Sequence, residues 1–171
     1  MLFPLFLAGG DRLETGDPRC EPAARIDTRD WQVIQTGAFS FRIPPGYELQ
    51  KDRSIDSAVR EWRSPGGQAV GSDYGIYNGP FERGPYSSMR EPIIECKRGE
   101  GTAAPQVVLY RTIEKRYAVG VYWVVPEDRR LRPQRGPMVE PETLRLEASS
   151  PRHEHLPELL TIARSVRPLP D

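Results

Sequence analysis

The chain has 171 residues, and its 24 basic side chains cancel 24 acidic ones, so it carries no formal net charge at pH 7. Such a balance sets up no long-range field, which excludes recruitment of nucleic acid or of an anionic membrane by overall charge. The length suits one domain able to fold without metal or disulfide staples, while 37% apolar residues, 18 prolines and 15 glycines point to a modest core with long irregular loops.

Residues 1–10, Met-Leu-Phe-Pro-Leu-Phe-Leu-Ala-Gly-Gly, are too few to span a bilayer, which takes ~20 apolar residues. An apolar run followed by small residues looks like the end of a secretory signal that lacks its basic leader. The expectation is export, to the periplasm or the medium, with a signal shortened by a misassigned start codon. The alternative is a cytoplasmic chain with an apolar N-terminus. Gly10 stands where a lipidated cysteine would be needed, so lipid anchoring through this stretch is not expected. Residues 11–30 are charged and aperiodic. Residues 1–30 therefore read as a signal-like stub and disordered linker that contributes little to stability, ahead of a single domain at 31–168. Cys20 and Cys96 fit no zinc pattern and no Cys-x-x-Cys pair, and whether they bridge is left open.

Trp31, Val33 and Gln35 begin a short strand, Gly37 turns the chain, and Phe39, Phe41 and Ile43 then alternate with Ser40 and Arg42 as in a half-buried strand. Pro44-Pro45-Gly46 ends that strand, because proline cannot continue a ladder. From Lys51 to Arg63 the signal is weak; Ala58–Arg63 fits a strand with Trp62 inward, followed by a hairpin turn at Pro65-Gly66-Gly67. In the next strand, Gln68 to Tyr77, Val70, Tyr74 and Ile76 share one face. Ala69, Gly71, Asp73, Gly75 and Tyr77 share the other. Glycine within a strand marks close approach by a backbone or a ligand, so Asp73 and Tyr77 are candidate binding residues on a cleared face. The plainer reading is a covering segment, with Asp73 paired to an arginine.

Asn78-Gly79-Pro80 stops the strand, Phe81 to Arg90 reads as a loop, and Ile93 to Lys97 as a short strand. Gln106–Ile113 and Tyr117–Val125 are the clearest strand pair. The second is apolar on both faces, which predicts a central strand covered on both sides. Pro126 to Pro141 is a long loop carrying Arg129, Arg130, Arg132 and Arg135. These arginines are candidates for contact with an acidic partner, against a plain solvated excursion. Thr143 to Ala148 gives a last strand. Pro157 then marks the first position of a helix whose stripe of Leu156, Leu159, Leu160, Ala163 and Val166 must dock on the sheet. The predicted core is Phe39, Phe41, Ile43, Val70, Tyr74, Ile76, Val119, Val121, Trp123, Leu159, Leu160 and Ala163.

Phe39-x-Phe-x-Ile-Pro-Pro-Gly-Tyr47 near the start and Leu160-x-Ile-Ala-x-Ser-Val166 in the final helix resemble the PsbP-like superfamily. Its members include a photosystem extrinsic subunit, a nuclear-transport cofactor that binds a small GTPase, and bacterial secreted domains. The resemblance spans residues 31–168. It implies an α+β fold, an antiparallel sheet with a C-terminal helix packed on it in an α/β/α sandwich, used for binding or assembly rather than catalysis. The chain departs from the family in showing no helix signal after Tyr47. No family binding residue transfers to it.

Catalytic signatures are absent from the sequence. Gly71-Ser-Asp-Tyr-Gly75 has aspartate where a nucleophile elbow needs serine, and no phosphate-loop or dinucleotide fingerprint occurs. His153 and His155, two apart, diverge on either a strand or a helix, so they do not share a metal. The expectation is a cofactor-free, metal-free binding or assembly module with a protein partner. The alternative is a small hydrolase or lyase with an acidic site around Asp73.

Overall fold

The computed structural model describes residues 18–21, 25–54, 58–82, 94–97, 104–129 and 141–170. Strand β1 (Gln32–Thr36) and β2 (Phe39–Ile43) form a hairpin, followed by β3 (Glu48–Ser54), β4 (Ala58–Arg63) and β5 (Ala69–Gly75). After these come β6 (Ile94–Lys97), β7 (Gln106–Arg111), β8 (Tyr117–Val124), β9 (Thr143–Ser150), helix α1 (Leu156–Arg164) and β10 (Arg167–Pro168). Seven strands make an antiparallel sheet in the order β3-β4-β5-β9-β8-β7-β6, and three make a small sheet in the order β1-β2-β10. The protein is α+β, with the C-terminal helix packed on an antiparallel sheet.

The core lies between the large sheet and a second layer made of α1 and the small sheet. Period-two alternation sends Val70, Ala148, Val119 and Leu109 to the same face across four neighbouring strands, with Tyr74, Leu144, Leu146 and Val121 beside them. Phe39, Phe41 and Ile43 from β2 and Leu159, Leu160 and Ile162 from α1 close over this face, all buried in one cluster. Polar contacts also tie these elements together, within the second layer and across to the large sheet. Ser165 Oγ accepts from the Arg42 backbone N–H at 2.8 Å, Tyr47 Oη donates to Glu158 Oε1 at 2.7 Å, and Arg60 Nη1 donates to the Gln35 carbonyl at 2.9 Å. Gly37, at φ +55°, turns the β1–β2 hairpin where an added Cβ would overlap the Tyr74 ring.

Two expectations need correction, and one stretch, which as the sequence predicts shows no helix, proves to be a strand. The chain after Tyr47 forms strand β3, which its charged sequence Glu-Leu-Gln-Lys-Asp-Arg-Ser did not suggest. It is an edge strand, and charged residues there discourage pairing with other chains. Ile76 lies only half buried, just past the end of β5 and outside the core, while Trp123 is partly buried against it. The linker reading of residues 1–30 fails for Pro18–Glu21. Cys20 is bonded to Cys96, with Cα atoms 5.5 Å apart, a separation that suits a disulfide. The Cys20 carbonyl accepts from Arg164 Nη2 at 2.7 Å, and Glu21 pairs with the same guanidinium at 3.0 Å. The N-terminal arm is thus fastened to both β6 and the end of α1.

Candidate functional site

The outer face of the large sheet, opposite α1, carries Asp73, Arg145 and Tyr122 in one cross-strand row and Glu61, Gly71, Glu147 and Gly120 in the next. After β5 the chain folds back over part of this face. Asn78 Nδ2 donates to the Asp73 carbonyl at 3.0 Å, Arg145 Nη1 donates to the Gly79 carbonyl at 3.1 Å, and the Phe81 N–H donates to Gln106 Oε1 at 2.9 Å. The Phe81 ring lies on Gly120, where any Cβ would overlap it, and the Arg145 guanidinium stacks on the ring at 4.0 Å. Phe81 forms a small second core with Val108, Tyr110 and Ala118. Strand β8 is therefore covered on both faces, as its two-sided apolar pattern predicts.

A covering segment exists, but the glycine it needs is Gly120. At Gly71 a Cβ would meet nothing nearer than 4.0 Å. Among the described residues, no arginine pairs with Asp73. Arg145 lies beside it in register yet bonds to Gly79 and stacks on Phe81, and Asp73 Oδ1 is buried without a hydrogen bond. Tyr77 projects into solvent with 72% of its surface exposed. Asp73 and Tyr77 line neither the trough between β4 and the β7–β8 turn nor the cavity beside Leu156. Arg129 ends a short 3-10 turn, Glu127–Arg129, while Arg130, Arg132 and Arg135 lie outside the described residues.

Beyond the Phe81 fold-back, the outer face opens into a trough of about 640 Å³. Its floor is Gly67, Ala69 and Gly71 of the β5 side with Ser149 and Glu147 of β9; Glu61 and Arg63 of β4 wall one side, and Arg116 and the β7–β8 turn the other. The short floor side chains, alternating with core residues, leave the space open. Hydrogen bonds hold these charged groups in place. Arg63 Nε reaches Glu61 Oε1 at 2.6 Å, and Arg116 donates to Ser149 Oγ at 3.1 Å and to the Gly67 carbonyl at 2.7 Å. Tyr110 Oη donates to Glu147 Oε2. None of these trough residues is among the candidate binding residues that the sequence offers. The available signals were Glu147 alternating with buried Leu146 and Ala148, and the small outward residues of β5.

Among the described residues, three buried phenols donate to carboxylates: Tyr47 to Glu158, Tyr74 to Glu142 and Tyr110 to Glu147. Burial first, and the adjacent Glu147 charge second, push the Tyr110 phenol far above the ordinary value of 10.0; burial and Glu158 do the same to Tyr47. A folded phenol that keeps its proton to higher pH than the unfolded one adds stability that is complete below pH ~10 and is lost as pH rises further. The urea midpoint should therefore fall steadily above pH ~10. Tyr47→Phe, which has no proton to lose, should flatten that fall. An unchanged slope in the variant would assign the alkaline loss to other groups.

Ser150 Oγ and His155 Nδ1 lie 2.8 Å apart, a contact between the two residue types of a nucleophile–base pair. The arrangement is instead a fastening of the turn before α1. Ser150 is fully buried, its Oγ also accepts the Arg152 N–H at 3.1 Å, and the Glu154 carboxylate near Nε2 is exposed and 3.9 Å away. A catalytic serine needs its oxygen within reach of a substrate carbonyl, and this one is sealed. His153 stands edge-on to the Tyr117 ring at 5.0 Å, apart from that contact.

Among the described residues, no cluster of His, Cys, Asp and Glu is arranged to hold a metal ion, and no helix is long and apolar enough to cross a membrane. No protein-family model matches the sequence, and no curated protein is similar enough to be matched.

Proposed function

We propose that this chain is a non-catalytic, extracytoplasmic binding or assembly domain of PsbP-like architecture, and that a protein partner lies along the outer-face trough. The observation that carries this reading is the trough itself: a wide opening, floored mostly by short side chains and walled by charged groups that hydrogen bonds already hold in place. Groups held this way offer a fixed surface for recognition, whereas acid–base catalysis calls for a donor and an acceptor aimed at a reacting atom. The Cys20–Cys96 bond supports an oxidising compartment, where such bonds persist.

The open space above Gly71 supplies the test. Gly71→Arg fills the trough without displacing a neighbour, so the melting temperature should stay close to that of the native protein. Used as bait in a cell-envelope extract, the native protein should retain a partner that Gly71→Arg loses. Equal recovery by both would reject the trough as the interface. Serine at Arg129, Arg130, Arg132 and Arg135 tests the arginine loop in the same assay. Turnover of a hydrolase substrate panel, lost in Asp73→Asn, would overturn the non-catalytic reading.

A further inference from the structure

A second concavity lies on the helix side of the large sheet, beside the disulfide, and shares no residue with the trough. It encloses about 200 Å³ between Ile94, Leu109 and Leu156, the Tyr117 ring with His153 against it, and the guanidinium-bearing residues Arg111 and Arg19. That is below the ~300–1,000 Å³ of pockets for drug-sized ligands, so its occupant is small. The two parts of the lining differ in character. Ile94, Leu109 and Leu156 give an apolar wall, while every charged residue among the described lining is basic.

Arg111 is the central group. Its Nη2 donates to the Lys115 carbonyl at 2.6 Å, its Nη1 to Tyr117 Oη at 3.4 Å, and its Cζ lies 4.2 Å above the Tyr117 ring. All three partners are neutral, so they fix the guanidinium without cancelling its charge. Among the described residues, Glu21 pairs with Arg164 at 3.0 Å and Glu154 with Arg152 at 3.2 Å. A positioned, half-buried guanidinium beside an apolar wall matches a planar carboxylate carried on a small apolar body.

We propose that this cavity binds a small amphipathic monocarboxylate, with the carboxylate on Arg111 and the apolar body against Ile94, Leu109, Leu156 and the Tyr117 ring. Arg19 belongs to the turn Pro18–Cys20, which the disulfide pins beside β6. The oxidised N-terminal arm therefore completes the cationic rim, and the site exists in full only when the bridge is closed.

Benzoate is a suitable probe, titrated into the full chain and followed by amide chemical shifts, with benzyl alcohol as the uncharged control. Benzoate should move the Arg111, Tyr117 and His153 amides saturably, and benzyl alcohol at the same concentration should not. Arg111→Met keeps the packing and removes the charge; it should weaken binding about tenfold or more, the equivalent of about 1.4 kcal/mol. Arg63→Met, in the trough, should leave binding unchanged. If Arg111→Met does not fold, the exposed Arg19→Met carries the same comparison with a several-fold loss. Absence of a saturable shift at these amides, an equal response to benzyl alcohol, or undiminished binding by the folded charge-removed variant would overturn the proposal.

Discussion

Replacing Cys20 and Cys96 together by serine is expected to lower the unfolding free energy by about 4–5 kcal/mol, because a bridge that closes so long a loop removes much freedom from the unfolded chain. The bonded cysteines are 76 residues apart, and the ring of chain between them contains β1 to β5. At this chain length each kilocalorie moves the melting temperature by ~2–4 °C, so a fall of about 10 °C or more should accompany the change. Arg164 also holds the arm, through the Cys20 carbonyl and through Glu21, whose side chain is 70% exposed. Exposed pairs of this kind contribute ~0–1 kcal/mol and do not substitute for the bridge. Denaturant midpoints for the native, reduced and double-serine proteins test this. A loss under ~1 kcal/mol would mean that the ring between the cysteines is already ordered in the unfolded state.

The second large effect is expected at Phe41. Its side chain is fully buried between the small sheet and the large one, and its ring meets Trp62 edge-on with centroids 5.6 Å apart. Phe41→Ala removes the transfer energy of the ring and leaves a cavity that two hydrogen-bonded layers cannot easily collapse, a cost of ~3–5 kcal/mol. Leu49→Ala makes the matched control, since Leu49 is 50% exposed on edge strand β3; its cost should stay within ~0.5 kcal/mol. Equal losses at the two positions would place the core elsewhere than between the layers.

The elements legible in the sequence were those whose pattern is local. Phe39, Phe41 and Ile43 announce β2 because alternation along one strand decides which face is buried. The stripe from Leu156 to Val166 announces α1 for the same reason at helical spacing. Strand β3 escaped because it lies at an edge and has little apolar surface to bury, so pairing with β4 alone makes it a strand. The disulfide escaped because two cysteines carry no information on whether the fold brings them together. The outer face was half legible. Alternation placed Asp73 on it correctly, but the contact that shapes it joins Phe81 to Gly120, and the trough joins residues from Glu61 to Ser149. Pairings across that much chain are decided by strand order, which no window of sequence contains.

Strand order also governs how the chain must be assembled. β9 sits at the centre of the large sheet, bonded to β5 on one side and to β8 on the other, yet it comes after every other strand of that sheet. As synthesis proceeds, β3-β4-β5 and β6-β7-β8 emerge first as two separate meanders, each with an open edge at β5 and β8. Such edges attract wrong partners while they wait. Residues 143–150 then act as a keystone that joins the halves, and α1, which covers the shared apolar face, follows directly behind. A chain cut short before Thr143 is therefore a pair of unpaired, aggregation-prone half-sheets, and a synthetic 141–170 peptide is the natural candidate to rescue it in trans.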